Sequence, residues 1–174
     1  MSLMSKDDEI AEVFNKHASM VYRIAFMFLK NTVEAEDATQ TVFLKLLKYQ
    51  DKFENDEHIK AWLIVTAKNT CKDAVKNWWR WLHRDNLKQV EQHGYIQKLS
   101  NSDVWEKVMS LNNKYKLPIY LYYYEGYSTL EISDILCLNH ATVRTHMRTA
   151  RKKLKIMLEE EKLNESKRAN LFLQ

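Results

Sequence analysis

The chain has one proline and two glycines in 174 residues. So few helix breakers leave room for long helices joined by short connections, and argue against a protein built of tight turns. No alternating, strand-like run bounded by turn residues is present. The two cysteines, Cys71 and Cys137, form no metal-spacing motif. Both fall among apolar helical positions, so each is expected as a buried free thiol in a reducing cytoplasm. No apolar run approaches the roughly 20 residues that span a bilayer, and no charged-then-apolar leader opens the chain, so no membrane insertion is expected. Gly-rich phosphate loops, H-E-x-x-H and nucleophile-elbow patterns are absent, so the chain does not read as an enzyme. The six histidines are scattered. His140 and His146 do not share a helical face and are expected at the surface or facing a partner rather than as metal ligands. No metal and no cofactor are expected.

What is there is charge, unevenly placed. The net charge of +4 hides 8 basic and 11 acidic side chains over residues 1–60, 7 and 3 over 61–100, and 12 and 9 over 101–174. An acidic front and two basic zones imply two kinds of partner surface. The period of apolar residues predicts three long helices in the first half. The first covers about 7–30, with Ile10, Val13, Phe14, Val21, Ile24, Ala25, Phe28 and Leu29 inward. The second, capped by Thr32, runs to about Tyr49 with Ala38, Val42, Phe43, Leu46 and Leu47 on one face. The third starts near His58 and passes Trp78, with Trp62, Leu63, Ala67, Cys71, Ala74 and Val75 inward. The acidic start Asp7-Asp8-Glu9 suits a helix N-terminus rather than catalysis.

Residues 83–101 lose the period and read as a linker. The expected organisation is all-α: a first domain over 5–82, the linker, a second domain over 102–160, and a tail over 161–174. The second domain carries helices to about Leu111 and from about Lys114 to Tyr124, then the stretch "STLEISDILCLNHATVRTHMRTARKKLK". There Ser128 and Glu131 form an S-x-x-E capping box ahead of Leu130, Ile132, Ile135 and Leu136. Cys137-Leu138-Asn139 makes a turn, with Asn139 as the next cap. The last helix turns Val143, Met147, Ala150 and Leu154 inward and shows Arg144, Thr145, Arg148, Arg151, Lys152 and Lys155. Two short helices with the second basic outward describe a helix-turn-helix, whose second helix enters a major groove. An arginine fork fits the two acceptors of guanine, and lysines suit phosphates.

A second stripe lies on the third helix. Lys68, Lys72, Lys76, Arg80 and Arg84 recur every four residues, beside Asn69 and Asp73. Phosphate contact is the expected use. Trp78, Trp79 and Trp81 end it; Trp78 is expected in the core and the other two under the linker, with base stacking as the alternative.

Three stretches, "EAEDATQTVFLKLLKYQDKF", "HIKAWLIVTAKNTCKDAV" and "LPIYLYYYEGYSTLEISDILCLNHATVRTHMRTARKKLK", resemble in order and spacing the extracytoplasmic-function (ECF) sigma factors of bacterial RNA polymerase. The resemblance covers roughly residues 8–80 and 103–158. It implies a region 2 domain and a region 4 domain. Region 2 would dock on the β′ clamp helices of core RNA polymerase through Asp37, Gln40, Phe43 and Leu44. It would also hold the melted −10 strand, with Phe53 and Asn69 at an extruded base and Lys68, Lys72 and Lys76 beside it. Region 4 would read −35 promoter DNA through Thr142, Arg144, Thr145, Arg148, Arg151 and Lys152, with Leu117 to Tyr124 resting on the β flap. An anti-sigma factor is a further partner of many members. Cys137 stands where the family often has glycine, Thr149 where it has arginine, and His146 where it has a basic residue. The competing reading is a stand-alone helix-turn-helix regulator, against which the acidic, apolar second helix speaks.

Overall fold

The computed structural model describes residues 6–49, 53–84 and 103–171, and side chains over 8–49, 53–78 and 104–164. Every regular element among them is a helix. The chain divides into two compact units, Met1–Gln97 and Lys98–Gln174.

The first unit holds α1 (Lys6–Leu29), α2 (Thr32–Leu47) and α3 (Asp56–Arg84). α1 is central: Val21, Ile24, Ala25 and Met27 are fully buried and Phe26 and Leu29 nearly so, which covers most of the circumference of its C-terminal half, because α2 and α3 both pack on it. Leu63, Ile64, Ala67 and Cys71 of α3 and Ala38, Val42 and Leu46 of α2 close the core. Each large apolar side chain so buried contributes about 1.5–3 kcal/mol. α1 ends at Lys30, which takes a left-handed φ of 53° while its amide bonds to the Phe26 carbonyl at 2.9 Å. The cap of α2 is Asn31, not Thr32: the Asn31 side chain accepts from the Glu34 amide at 3.1 Å. Asn31 sits in extended backbone at the point where the chain reverses, and an amide oxygen caps well there. Leu47 and Phe14, expected inward, are exposed.

Asn55 caps α3 by accepting from the His58 amide at 2.9 Å. The next residue, Asp56, accepts from Lys16 Nζ at 2.7 Å and pairs with His17 Nε2 at 3.0 Å, which pins the start of α3 to α1. These two bonds, Lys16 first, hold the Asp56 carboxyl below the usual aspartate range. The helix continues through residues 83 and 84, so it takes in the first two residues of the expected linker; residues 85–101 lie outside the described residues.

The second unit holds α4 (Asp103–Ser110), α5 (Asn113–Tyr123), α6 (Thr129–Leu136) and α7 (His140–Leu171). α7 runs unbroken past residue 160, where a tail was expected to begin. Pro118 lies inside α5 and forgoes one helix bond, yet it is buried with Leu117, Ile119, Tyr120 and Leu121. Trp105 of α4 meets Tyr120 and Tyr124 edge-on at 6.2 and 5.4 Å, and Tyr120 donates to Glu125 at 2.6 Å. Gly126 supplies the φ of 77° that turns the chain so that the Tyr127 amide reaches the Leu121 carbonyl at 3.1 Å.

Candidate nucleic-acid interface

The pair α6–α7 is built by local chemistry. Ser128 and Glu131 form the capping box: the Glu131 amide donates to Ser128 Oγ at 3.2 Å, and the Ser128 amide to Glu131 Oε2 at 2.8 Å. These bonds hold the Glu131 carboxyl below its ordinary value. α6 ends in a Schellman arrangement, with the Leu138 amide on the Ser133 carbonyl at 2.9 Å and the Cys137 amide on Asp134 at 3.2 Å. That geometry puts Cys137 at φ 52°, ψ 48°, a left-handed position better suited to glycine. Cys137 is exposed there, contrary to the burial expected from its apolar neighbours; only Cys71 is buried, and burial pushes its thiol up to about 12. Leu130 is exposed as well, because α7 covers Ile132 and Leu136 instead. Asn139 accepts from the Ala141 amide at 2.8 Å and opens α7. Thr129 Oγ1 meets His140 Nε2 at 2.9 Å and fixes the start of α7 to α6.

With Val143, Met147 and Ala150 buried, the opposite stripe of α7 is fixed. Arg144, Thr145, Arg148, Arg151 and Lys152 are exposed, and Thr142 is half-buried. Arg144, Thr145, Arg148 and Arg151 line an open concavity of about 760 Å³ with Tyr122, Ser128, Thr129 and Ala141. None of the three arginines meets a carboxylate among the described residues. Thr145 donates its hydroxyl to the Ala141 carbonyl at 2.9 Å, so its methyl is the group turned outward. His146 is half-buried rather than at the surface: its ring stands edge-on to Tyr115 at 5.5 Å, and its Nδ1 is buried without a partner. Burial, then the Lys114 charge, holds its pKa below the ordinary imidazole value.

The first unit presents two further faces. On α3, Asn69, Lys72 and Lys76 are exposed and Lys68 is half-buried. The side chains of Trp79, Arg80, Trp81 and Arg84 lie outside the described residues. Phe53, half-buried, stands edge-on to His58 at 5.4 Å and to Trp62 at 5.5 Å, and Tyr49 approaches Trp62 at 5.8 Å. Sequence reasoning found Phe53 but not the Tyr49–Trp62 part of this aromatic group, because Tyr49 lies in the turn after α2 and Trp62 lies on α3. On α2, Asp37 and Gln40 are exposed and Leu44 is 61% exposed, whereas Phe43 is only 6% exposed and packs on Phe14 at 4.8 Å. Phe43 therefore belongs to the wall behind this face rather than to its surface. Exposed Val33 and Leu47 extend the face, so that residues 33, 37, 40, 44 and 47 repeat at steps of four, three, four and three.

Family models match both units. Sigma-70 region 2 matches residues 13–80, and sigma-70 region 4 matches residues 102–154. The chain is 25% identical to the ECF RNA polymerase sigma factor SigW of Bacillus subtilis over 168 residues, covering 87% of this chain and 89% of that one. It is 28% identical over 149 residues to the RNA polymerase sigma factor SigV of the same organism, covering 85% and 90%. The chain belongs to the ECF sigma factors. Among solved structures its fold is similar to the sigma factor RpoE of Bartonella quintana, in complex with the anti-sigma factor NepR, at a TM-score of 0.70, 20% identity, and 87% and 97% coverage. CnrH, in complex with the cytosolic domain of CnrY, matches at a TM-score of 0.63, 18% identity, and 90% and 91% coverage. As an ECF sigma factor the chain directs RNA polymerase to promoter DNA and to transcription initiation, which the stand-alone regulator reading does not account for. The family consists of initiation factors rather than catalysts. No described helix is long and apolar enough to cross a membrane.

Proposed function

We propose that this sigma factor divides its promoter between two surfaces. α7 enters the major groove of the −35 duplex, with Arg144, Thr145 and Arg148 toward base edges and Arg151 and Lys152 toward phosphates. Thr142 stands at the entry of the helix. The carrying observation is the row of three exposed arginines along one concave face, unopposed by carboxylates. Desolvated next to a folded acid they would be neutralised; left open, they attract polyanion. In the first unit, Phe53 and Asn69 receive an extruded base of the −10 strand, backed by Trp62. Lys68, Lys72 and Lys76 follow the strand's phosphates. Capturing unpaired bases offsets the few kcal/mol that unstacking costs. The chain itself makes and breaks no covalent bond.

The stripe Val33, Asp37, Gln40, Leu44 and Leu47 has the spacing that seats against a coiled coil, which supports docking on the β′ clamp helices. Phe43 supports that stripe from behind. Of Leu117 to Tyr124 only Tyr122, Tyr123 and Tyr124 are exposed. The β flap is therefore assigned to the groove of about 570 Å³ lined by Val104, Tyr123, Tyr124, Leu154 and Leu158. Work with polymerase supports a cytoplasmic location, and the complexes of RpoE and CnrH support an anti-sigma factor as a third partner. Arg144→Ala tests the −35 assignment. Holoenzyme binding to a −35 duplex is expected to weaken by about 1–3 kcal/mol with one base preference relaxed; equal weakening on every sequence would make Arg144 a phosphate contact only.

A further inference from the structure

Arg151 is held in an unusual way for a surface arginine. Its Nε donates to the Tyr123 hydroxyl at 3.2 Å. Its guanidinium lies 5.4 Å from the centre of the Tyr122 ring and 5.8 Å from that of Tyr123. The two rings are themselves edge-on at 4.9 Å. No carboxylate reaches Arg151 among the described residues. The clamp sits on the ridge between two concavities: Tyr122 lines the one on the recognition face, Tyr123 the apolar groove, and Arg151 both.

A carboxylate would order this side chain but cancel the charge that DNA needs. A phenol orders it and leaves the charge intact. Because Tyr123 takes Nε, the edge formed by the two Nη groups remains free, and that edge can meet two phosphate oxygens at once. We propose that Tyr123 is a positioning residue for promoter recognition, holding Arg151 so that its free edge faces a backbone phosphate at the −35 element. Tyr122 flanks the guanidinium on the DNA side. The inference rests on the −35 reading of α7 given above. Tyr123 touches no DNA in it; the residue acts through Arg151 by removing rotamer freedom that binding would otherwise have to remove.

The test uses holoenzyme at saturating sigma factor on a promoter duplex, with the dissociation constant measured against salt. Four chains are compared: unchanged, Tyr123→Phe, Arg151→Ala, and the double variant. Tyr123→Phe keeps the ring and deletes the acceptor. It is expected to weaken binding about two- to tenfold, the cost of ordering one long side chain. Its salt slope should stay that of the unchanged chain, since the phosphate contact still forms. Arg151→Ala should lower the slope by about one unit. In the Arg151→Ala background, Tyr123→Phe should then have no further effect. If Tyr123→Phe leaves binding unchanged or tightens it, the positioning role is overturned while the −35 reading stands. If it weakens binding equally with and without Arg151, Tyr123 acts on something else and the proposal fails. If Arg151→Ala changes neither affinity nor slope, the −35 reading of Arg151 fails first.

Discussion

Cys137→Gly should stabilise the second unit. Cys137 holds φ 52° and ψ 48° at the turn of the helix-turn-helix, and its side chain is exposed. Left-handed backbone costs an L-residue about 1–2 kcal/mol. Glycine removes that cost but adds freedom to the unfolded chain worth about 0.4–1 kcal/mol. Little else is lost, because the thiol makes only a long contact of 3.7 Å to the Asp134 carbonyl. Taking the middle of both ranges, the net gain is about 0.5–1 kcal/mol. In a unit of this size, about 4–8 °C accompanies each kcal/mol, so the melting midpoint should rise by roughly 2–8 °C. Calorimetry of the full chain, following the transition of the second unit, reads this directly. Cys137→Ala is the control: it deletes the thiol, keeps the backbone cost and should melt close to the parent. Should Cys137→Gly melt at or below the parent temperature, the turn is not strained as described. Should alanine stabilise as much as glycine, the thiol rather than the backbone was the liability.

Three further outcomes are expected. Ser128→Ala removes one side of the capping box and should destabilise the second unit by about 1 kcal/mol, read as a lower urea midpoint. Asp56 has a depressed carboxyl, so its ties to Lys16 and His17 stabilise the fold above the ordinary aspartate pKa of about 3.9 and fade as pH falls through the depressed native value. Asp56→Asn should lower the urea midpoint of the first unit at pH 6, by no more than about 1 kcal/mol given its exposure to solvent, and the gap to the parent should close in acid. In the native chain an alkylating reagent should modify Cys137 rapidly and Cys71 only after unfolding, because the Cys71 thiol is buried and its pKa is pushed up to about 12. Peptide mass mapping distinguishes the two sites.

The helices were legible because their signals are local and periodic. The capping box at Ser128, the Asn139 cap and the buried set Val143, Met147 and Ala150 follow from spacing within about four residues. What was not legible depends on partners far away in the chain. Leu47 and Cys137 fit the apolar patterns, but among the described residues no helix covers them. Phe43 was assigned to a docking surface by resemblance, and it is covered by Phe14 from α1. His146 sits on a basic helix, yet it is half-buried against Tyr115 from α5, and burial lowers its pKa. Lys116 of α5 is buried, a placement no charge count suggests. The Tyr123–Arg151 bond joins residues 28 apart and carries no pattern at all. Residue type set the candidate surfaces; packing decided which members of each face outward.

Site-specific photocrosslinking in the open promoter complex tests the division of labour most directly, with the crosslinker placed at position 144 in one chain and at position 69 in another. Position 144 should label paired DNA near −35, and position 69 should label the unpaired strand near −10. Labelling of the same stretch from both positions, or of duplex alone from position 69, would contradict the account.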